Sequence, residues 1–276
     1  MSGNARLLLA DTQRIFLAGI AQFSILLSMD CAWSDLHVLE LPAARRMIAP
    51  GHWGWPFRVA DFYRNAALAD AFSSIEGRVL DFGCGEKPYE GLLRSSKITA
   101  WTGVDLEQRT SGSHKPNKAD VFWDGKKLPF ENLSFDVVLA TQVLEHIPDV
   151  DPVLEELARV LKPGGSLVIT VPMTSVLHEE PHDYRRFTPF GMEREASRHE
   201  LRLSRAVALG GVFTVLGTLF ALHLNPLEKI PVLGRLLHHA AAGLATQMCF
   251  SAERFLFAAG FKQHKITVDY LFVLNK

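Results

Sequence analysis

Short apolar runs of strand length alternate with longer stretches of helical spacing along most of the chain. Strand-like runs fall at about 78 to 82, 100 to 105, 119 to 122, 135 to 140 and 166 to 171. Between most of them lie helical patterns, the clearest being Val153 to Leu161, which Lys162-Pro163-Gly164-Gly165 should stop and turn into the next strand. His199 to Val207 alternates polar and apolar residues and suits a sixth strand. Upstream, Trp53 to Ile75 carries Phe57, Phe62, Leu68 and Phe72 at helical spacing, which fits either a cap over a ligand site or plain core packing. Strands alternating with helices predict a parallel sheet with right-handed crossovers.

Two stretches break this rhythm. Residues 1 to 50 form an N-terminal segment of uncertain order: Ile15 to Leu27 is apolar but interrupted by Gln22 and Ser24. It is short for a spanning helix and reads as a poorly conforming N-terminal helix, with Met29 or Met47 as rival starts. The second is Ala206 to Leu227, which has no formally charged residue and is long enough to raise a membrane span. Gly210-Gly211, His223, Asn225 and Pro226 oppose a span, and Arg194, Arg198, Arg202 and Arg205 lie just upstream, so a lid or core insertion competes with peripheral membrane contact.

Composition narrows the class. The chain has 276 residues, 48% hydrophobic and 21% charged, enough for a sizeable core and too apolar for global disorder. A net charge of −1 and the lack of a basic stripe argue against a nucleic-acid partner. Cys31, Cys84 and Cys249 show neither a disulfide framework nor metal-ligand spacing, so a reducing cytoplasm fits and no metal is expected.

The chemistry concentrates at Arg78 to Glu86, RVLDFGCGE, where a buried strand with Asp81 runs into Gly83-Cys84-Gly85. A second acid, Asp105, follows Asp81 by 24 residues, at the end of the next strand. In nucleoside-binding α/β folds, an acid at about that distance accepts hydrogen bonds from ribose hydroxyls. Position 88 is proline where a dinucleotide fingerprint would place its third glycine, which favours a nucleoside without phosphates and disfavours a nicotinamide oxidoreductase.

The run VLDFGCGEKPY, then GVDL, then DGKKLPFENLSFDVVLATQVLEHI, then ELARVLKPGGSLVITVP resembles the class I S-adenosylmethionine-dependent methyltransferases, within the small-molecule group sharing LPF, SFDVV and LKPGG signatures. The resemblance covers roughly residues 78 to 172. It implies a Rossmann-like, doubly wound, seven-stranded, mostly parallel sheet, with Ile266 to Leu274 as a C-terminal antiparallel strand. The methyltransferase domain would then comprise 51 to 210 and 261 to 276, and residues 211 to 260 a helical insertion between the last two strands.

The same resemblance implies S-adenosyl-L-methionine as cofactor, held by Asp81, Gly83, Cys84, Gly85, Asp105, Leu106, Asp124, Gly125 and Thr141. Asp124 sits where the family places the acid that contacts the adenine amino group; its alternative is a turn residue, and Asp120 is a nearby competitor. Thr141 to Ile147 would line the methionine part, with His146 a candidate general base. The polar, proline-broken stretch His178 to Phe187 occupies the place of a substrate loop. Candidate catalytic residues are therefore His146, His178 and Tyr184, and candidate substrate contacts Glu145, Asp183 and Arg185. The expected activity is methyl transfer to an oxygen, nitrogen or carbon of a small or lipid-linked metabolite; a catalytically inactive cofactor-binding scaffold is the competing reading. Nothing in the sequence sets the oligomeric state.

Overall fold

The computed structural model describes residues 36–38, 55–107, 117–223, 233–259 and 266–276. In chain order the elements are β1 (Leu36–Val38), α1 (Trp55–Phe72), β2 (Gly77–Phe82), α2 (Glu90–Leu93), β3 (Ile98–Leu106), β4 (Val121–Trp123), β5 (Phe135–Thr141), α3 (Asp151–Val160), β6 (Leu161–Pro172), α4 (Pro189–Ala196), β7 (Arg202–Leu209), α5 (Val212–His223), α6 (Leu233–Ala258) and β8 (Asp269–Asn275). They build one sheet in the order β1-β7-β8-β6-β5-β2-β3-β4. Among the described strands, β8 alone runs antiparallel to its neighbours, β6 and β7. The sheet is thus the Rossmann-like, mostly parallel one expected, with an eighth strand added at its edge. That strand, β1, comes from the N-terminal segment and pairs Leu36 to Val38 with Ala206 to Ala208. The apolar run Ile15 to Leu27 lies outside the described residues.

The strands read as continuous apolar runs because both faces of the sheet are covered. Side chains alternate across the pleat, so neighbouring residues enter different cores. Leu80, Val138, Leu167, Ile169 and Phe272 pack with Leu154 and Leu157 of α3 and Met192 of α4. Val79, Val137, Leu139, Val168 and Leu271 pack on the other face with Tyr63, Leu68 and Phe72 of α1. The Trp55–Phe72 part of the run expected to be helical is therefore a core helix. In α3 the buried Val153, Leu154, Leu157 and Ala158 form one stripe, with Asp151 and Arg159 placed at the ends that suit the helix dipole. Its helical hydrogen bonding stops at Val160, earlier than the Lys-Pro-Gly-Gly signal, and Leu161 already takes extended dihedrals.

Chain order makes the functional geometry. From β2 the chain steps outward through β3 and β4, then returns to β5 on the opposite side of β2. The carboxyl ends of β2 and β5 therefore flank a topological switch point, the place where open α/β sheets bind ligands.

The uncharged stretch Ala206 to Leu227 does not form one helix. Its first part is the end of β7, hydrogen-bonded between β1 and β8; Gly210 then turns the chain at φ +80° into the twelve-residue α5. Among the described residues, no helix is long and apolar enough to cross a membrane. Glu253 of α6 accepts the Gly211 and Thr214 backbone N–H groups at 2.5 and 2.8 Å, satisfying otherwise orphaned donors at the start of α5. Arg64 of α1 is held to Asp269 at the start of β8, Nη2 to Oδ2 2.6 Å.

Candidate functional site

At the end of β2 the chain reverses through Gly83 and Gly85, at φ +68° and +57°, a region that side chains other than glycine rarely adopt. The Gly83 and Cys84 N–H groups both donate to Val104 O of β3, at 2.8 and 3.1 Å, which ties the turn to the neighbouring strand. A Cβ built on Gly83 would lie 2.5 Å from the Val143 side chain, so the missing side chain is also a matter of space. Asp105, at the end of β3, accepts the Gly85 N–H with Oδ2 at 3.0 Å and the Leu106 N–H with Oδ1 at 2.8 Å. Two backbone donors thus fix its carboxylate at the edge of the switch point.

A cleft of about 210 Å³ opens there. Of the residues named from the sequence, it is lined by Gly83, Asp105, Leu106 and His146. It is also lined by Phe82 of the RVLDFGCGE run, by Gln142, Val143 and Ile147 of the Thr141 to Ile147 stretch, by Glu179 of the His178 to Phe187 stretch, and by Trp123, which lies in no stretch the sequence singles out. The signal that could have found most of them is positional, since Phe82, Trp123, Gln142 and Val143 lie at or just beyond carboxyl ends of strands. Gln142 and Glu179 are non-glycine residues held at φ +54° and +53°, a strained conformation of the kind that gathers at functional sites.

The group implied by the sequence resemblance is a nucleoside with a sulfonium, and the cleft fits it. Asp105 offers a fixed anionic acceptor for hydroxyls, Gly83 allows backbone approach, and Phe82, Trp123, Val143 and Ile147 give apolar walls for a base. The Trp123 indole N–H is buried without a hydrogen-bond partner, a donor ready for a ligand.

The other cofactor candidates lie around the cleft without lining it. Asp81 is buried and accepts the Trp101 indole N–H at 3.3 Å. Cys84 is buried, and burial pushes its thiol up to about 12. Thr141 closes β5, paired with Thr170. Asp124 accepts the Lys126 N–H at 2.9 Å, the turn-forming role, with Gly125 beside it at φ +85°. Asp120 bridges Lys87 Nζ and the Gly103 N–H, at 2.5 and 2.7 Å.

Burial raises the Asp81 carboxyl to about 7, chiefly by desolvation. The folded chain therefore keeps a proton that the unfolded chain releases near pH 4, and stability falls as pH rises from about 4 to about 7. Asp81→Asn keeps an acceptor for Trp101 and removes the buried charge. We expect it to raise the unfolding free energy at pH 8 by on the order of 3 kcal/mol and to flatten part of that pH dependence in denaturant titrations. A loss of stability at pH 8 would show that the charge itself is needed.

The loop after β6 folds back onto the turn after β5. The Tyr184 N–H donates to Glu145 O at 2.9 Å, and His146 Nδ1 donates to His182 O at 2.8 Å. The Glu145 side chain is fully buried, neither carboxylate oxygen has a hydrogen-bond partner, and burial lifts its carboxyl to about 8. Oε1 of Glu145 and Oε2 of Glu179 each lie 3.8 Å from His146 Nε2. The His146 and His178 rings meet edge to face, centroids 4.9 Å apart. Asp183 is a strut of the loop: Arg186 grips it, Nη2 to Oδ2 2.8 Å, and holds its carboxyl down at about 2. Arg185 donates to Pro148 O and so docks the loop. Tyr184 is exposed, with its hydroxyl 3.0 Å from His182 Nδ1. The structure thus brings Glu145, His146 and His178 together, and places Asp183 and Arg185 in loop-holding contacts.

Comparison with known proteins agrees with this geometry. Residues 80–169 match the family model described as a methyltransferase domain. Over 101 residues the chain is 34% identical to a 27-O-demethylrifamycin SV methyltransferase of Amycolatopsis mediterranei, covering 33% of this chain and 37% of the relative. It is 31% identical over 139 residues to a sterol 24-C-methyltransferase of Schizosaccharomyces pombe, covering 41% and 35%. It is 31% identical over 126 residues to a ubiquinone biosynthesis O-methyltransferase of Aromatoleum aromaticum, covering 41% and 48%. The chain spans less than half the length of each of these relatives.

Proposed function

We propose that this chain, whose residues 80–169 are a methyltransferase domain of the class I S-adenosylmethionine-dependent kind, moves a methyl group from that cofactor to a small or lipid-linked metabolite. The observation that carries the reading is Asp105, a carboxylate fixed by two backbone N–H groups at the switch point, facing a cleft whose floor is a glycine turn. The relatives' names cover a rifamycin oxygen, a sterol carbon and a ubiquinone-pathway oxygen, which supports a small or lipid-like acceptor without selecting the atom.

When bound, S-adenosylmethionine supplies an activated methyl on its sulfonium. The chain's task is then to hold, align and dry the reactants. Asp105 accepts from ribose hydroxyls, Gly83 and Gly85 let backbone approach, and Phe82, Trp123 and Ile147 enclose the base. His146, its Nδ1 hydrogen held by His182 O, presents Nε2 toward the cleft beside Glu179, and a hydroxyl acceptor passes its proton to that pair. Leu216, Leu219 and Phe220 of α5 and Leu244, Met248 and Phe255 of α6 are exposed, which supports contact of this hairpin with an apolar surface or a membrane-borne acceptor.

Calorimetric titration with S-adenosylmethionine and S-adenosylhomocysteine tests the reading. Micromolar binding by the wild type, lost in Gly83→Val, is the expected result, because the new side chain would meet Val143 and force a disfavoured φ. A folded wild type that binds neither nucleoside overturns it. Binding without S-adenosylhomocysteine release across acceptor classes would instead favour a scaffold.

A further inference from the structure

We propose that Glu145, His146 and His178 form a site for a divalent transition-metal ion at the acceptor side of the cleft. One ligand atom from each of the three lies within 4.8 Å of the others. Metal bonds to nitrogen and oxygen run about 2.0 to 2.2 Å, so bound ligand atoms stand roughly 3 to 3.5 Å apart, and side-chain rotation would draw these three in by on the order of 1 Å.

Three independent features point to a cation. The first is Glu145, fully buried with both carboxylate oxygens unpartnered. A buried acceptor left without a donor is costly and calls for an explanation. The nearest guanidiniums do not supply one, since Arg186 is taken by Asp183 and Arg64 by Asp269. A bound ion would neutralise the charge and fill the vacant lone pairs.

The second is the state of the two imidazoles. His146 Nδ1 donates to His182 O at 2.8 Å. His178 Nδ1 lies 3.2 Å from Val176 O and 3.3 Å from Asp183 Oδ2. Each ring thus sets its Nδ1 against an oxygen, which leaves Nε2 as the nitrogen open to an ion. Metal-ligating histidines are oriented in just this way by an outer oxygen.

The third is Glu179, held at φ +53° with Oε2 3.8 Å from His146 Nε2, which adds a carboxylate on the open, cleft-lining side. Imidazole with carboxylate and no thiolate selects zinc, iron(II), cobalt(II) or manganese(II) over calcium or copper(I). The cysteines carry no metal spacing, and these histidines and carboxylates fall on no strand or α-helix; they sit on two loops, after β5 and after β6, and meet only where the second loop closes over the first. An ion there would take over from His146 in acidifying a hydroxyl acceptor, leaving Glu179 to receive the proton; that clause alone rests on the methyl-transfer reading.

The test is titration of the chelator-stripped full chain with cobalt(II), read by visible absorption, and with zinc, read by calorimetry. The expected result is one equivalent bound, with zinc raising the wild-type Tm. Affinity should fall about 10- to 100-fold or more in Glu145→Gln and in His178→Ala. Glu145→Gln should also raise the Tm of the metal-free protein by removing the cost of burying an ionisable carboxyl. His178→Ala alters a partly exposed loop residue and keeps the test decisive if the buried variant misfolds. No binding by the wild type, or equal binding by both variants, overturns the proposal. S-adenosylmethionine titration of the same samples reads the cofactor site separately, so either site can fail while the other stands.

Discussion

Asp105→Ala should bind S-adenosylmethionine at least about a hundredfold more weakly than the wild type, in a protein that still folds. The carboxylate is held at the mouth of the cleft by the Gly85 and Leu106 N–H groups, so its position toward a ribose is set before the ligand arrives. Hydrogen bonds to a charged group contribute about 1.5 to 3 kcal/mol each, and two of them correspond to roughly 10² to 10⁴ in affinity. Asp105→Asn should fall between, because its amide nitrogen must face one of two backbone N–H donors with a donor of its own. Calorimetry gives the affinities and a thermal melt checks the fold. Wild-type affinity in a folded Asp105→Ala would remove Asp105 from the cofactor site and with it the main support for the nucleoside reading.

Arg64→Met is expected to lose about 3 to 5 kcal/mol of stability, because it strands Asp269. The guanidinium meets Asp269 Oδ2 through Nη2 at 2.6 Å and through Nε at 3.2 Å, and both side chains are largely withdrawn from water. The pair joins α1 to the start of β8, so its loss unfastens a helix from the centre of the sheet. At this chain length the change corresponds to a Tm drop of roughly 10 °C. Burial already raises the Asp269 carboxyl, and the arginine opposes that rise. Without it the folded state holds the proton to higher pH, so the loss should be small near pH 4 and grow as the pH climbs. Asp269→Asn in the same chain should recover much of the stability. A single variant as stable as the wild type at pH 8 would show that the carboxylate finds another partner.

Much of the cofactor side was legible because it depends on short segments at strand ends. RVLDFGCGE placed the glycine turn, GVD placed Asp105, and TQVLEHI placed His146, since a strand followed by glycine or by an acid reads the same in any surroundings. Asp124 carries two readings in the sequence, a base contact from family position and a turn from the Asp-Gly pair, and the hydrogen bond it accepts from the Lys126 N–H is the one the turn uses. The loop after β6 was less legible still. Asp183 and Arg185 have the polarity of substrate contacts, but Arg186 and Pro148 O engage them, and no periodicity in the sequence records those partners.

The sequence by itself determined the alternation of strands and helices, the glycine turn, the acid at the end of the next strand and the family resemblance. These follow from patterns of two to four residues and from spacing along one chain. Only the tertiary structure decided that Leu36–Val38 extends the sheet as an eighth strand and that the uncharged run from Ala206, over its described part to His223, is divided between a strand and a helix. It alone shows Glu145 enclosed without a partner against two histidines. The reason is physical. Burial, pairing at a sheet edge and the desolvation of a carboxylate are set by neighbours distant in sequence, which the closing of one loop over another supplies.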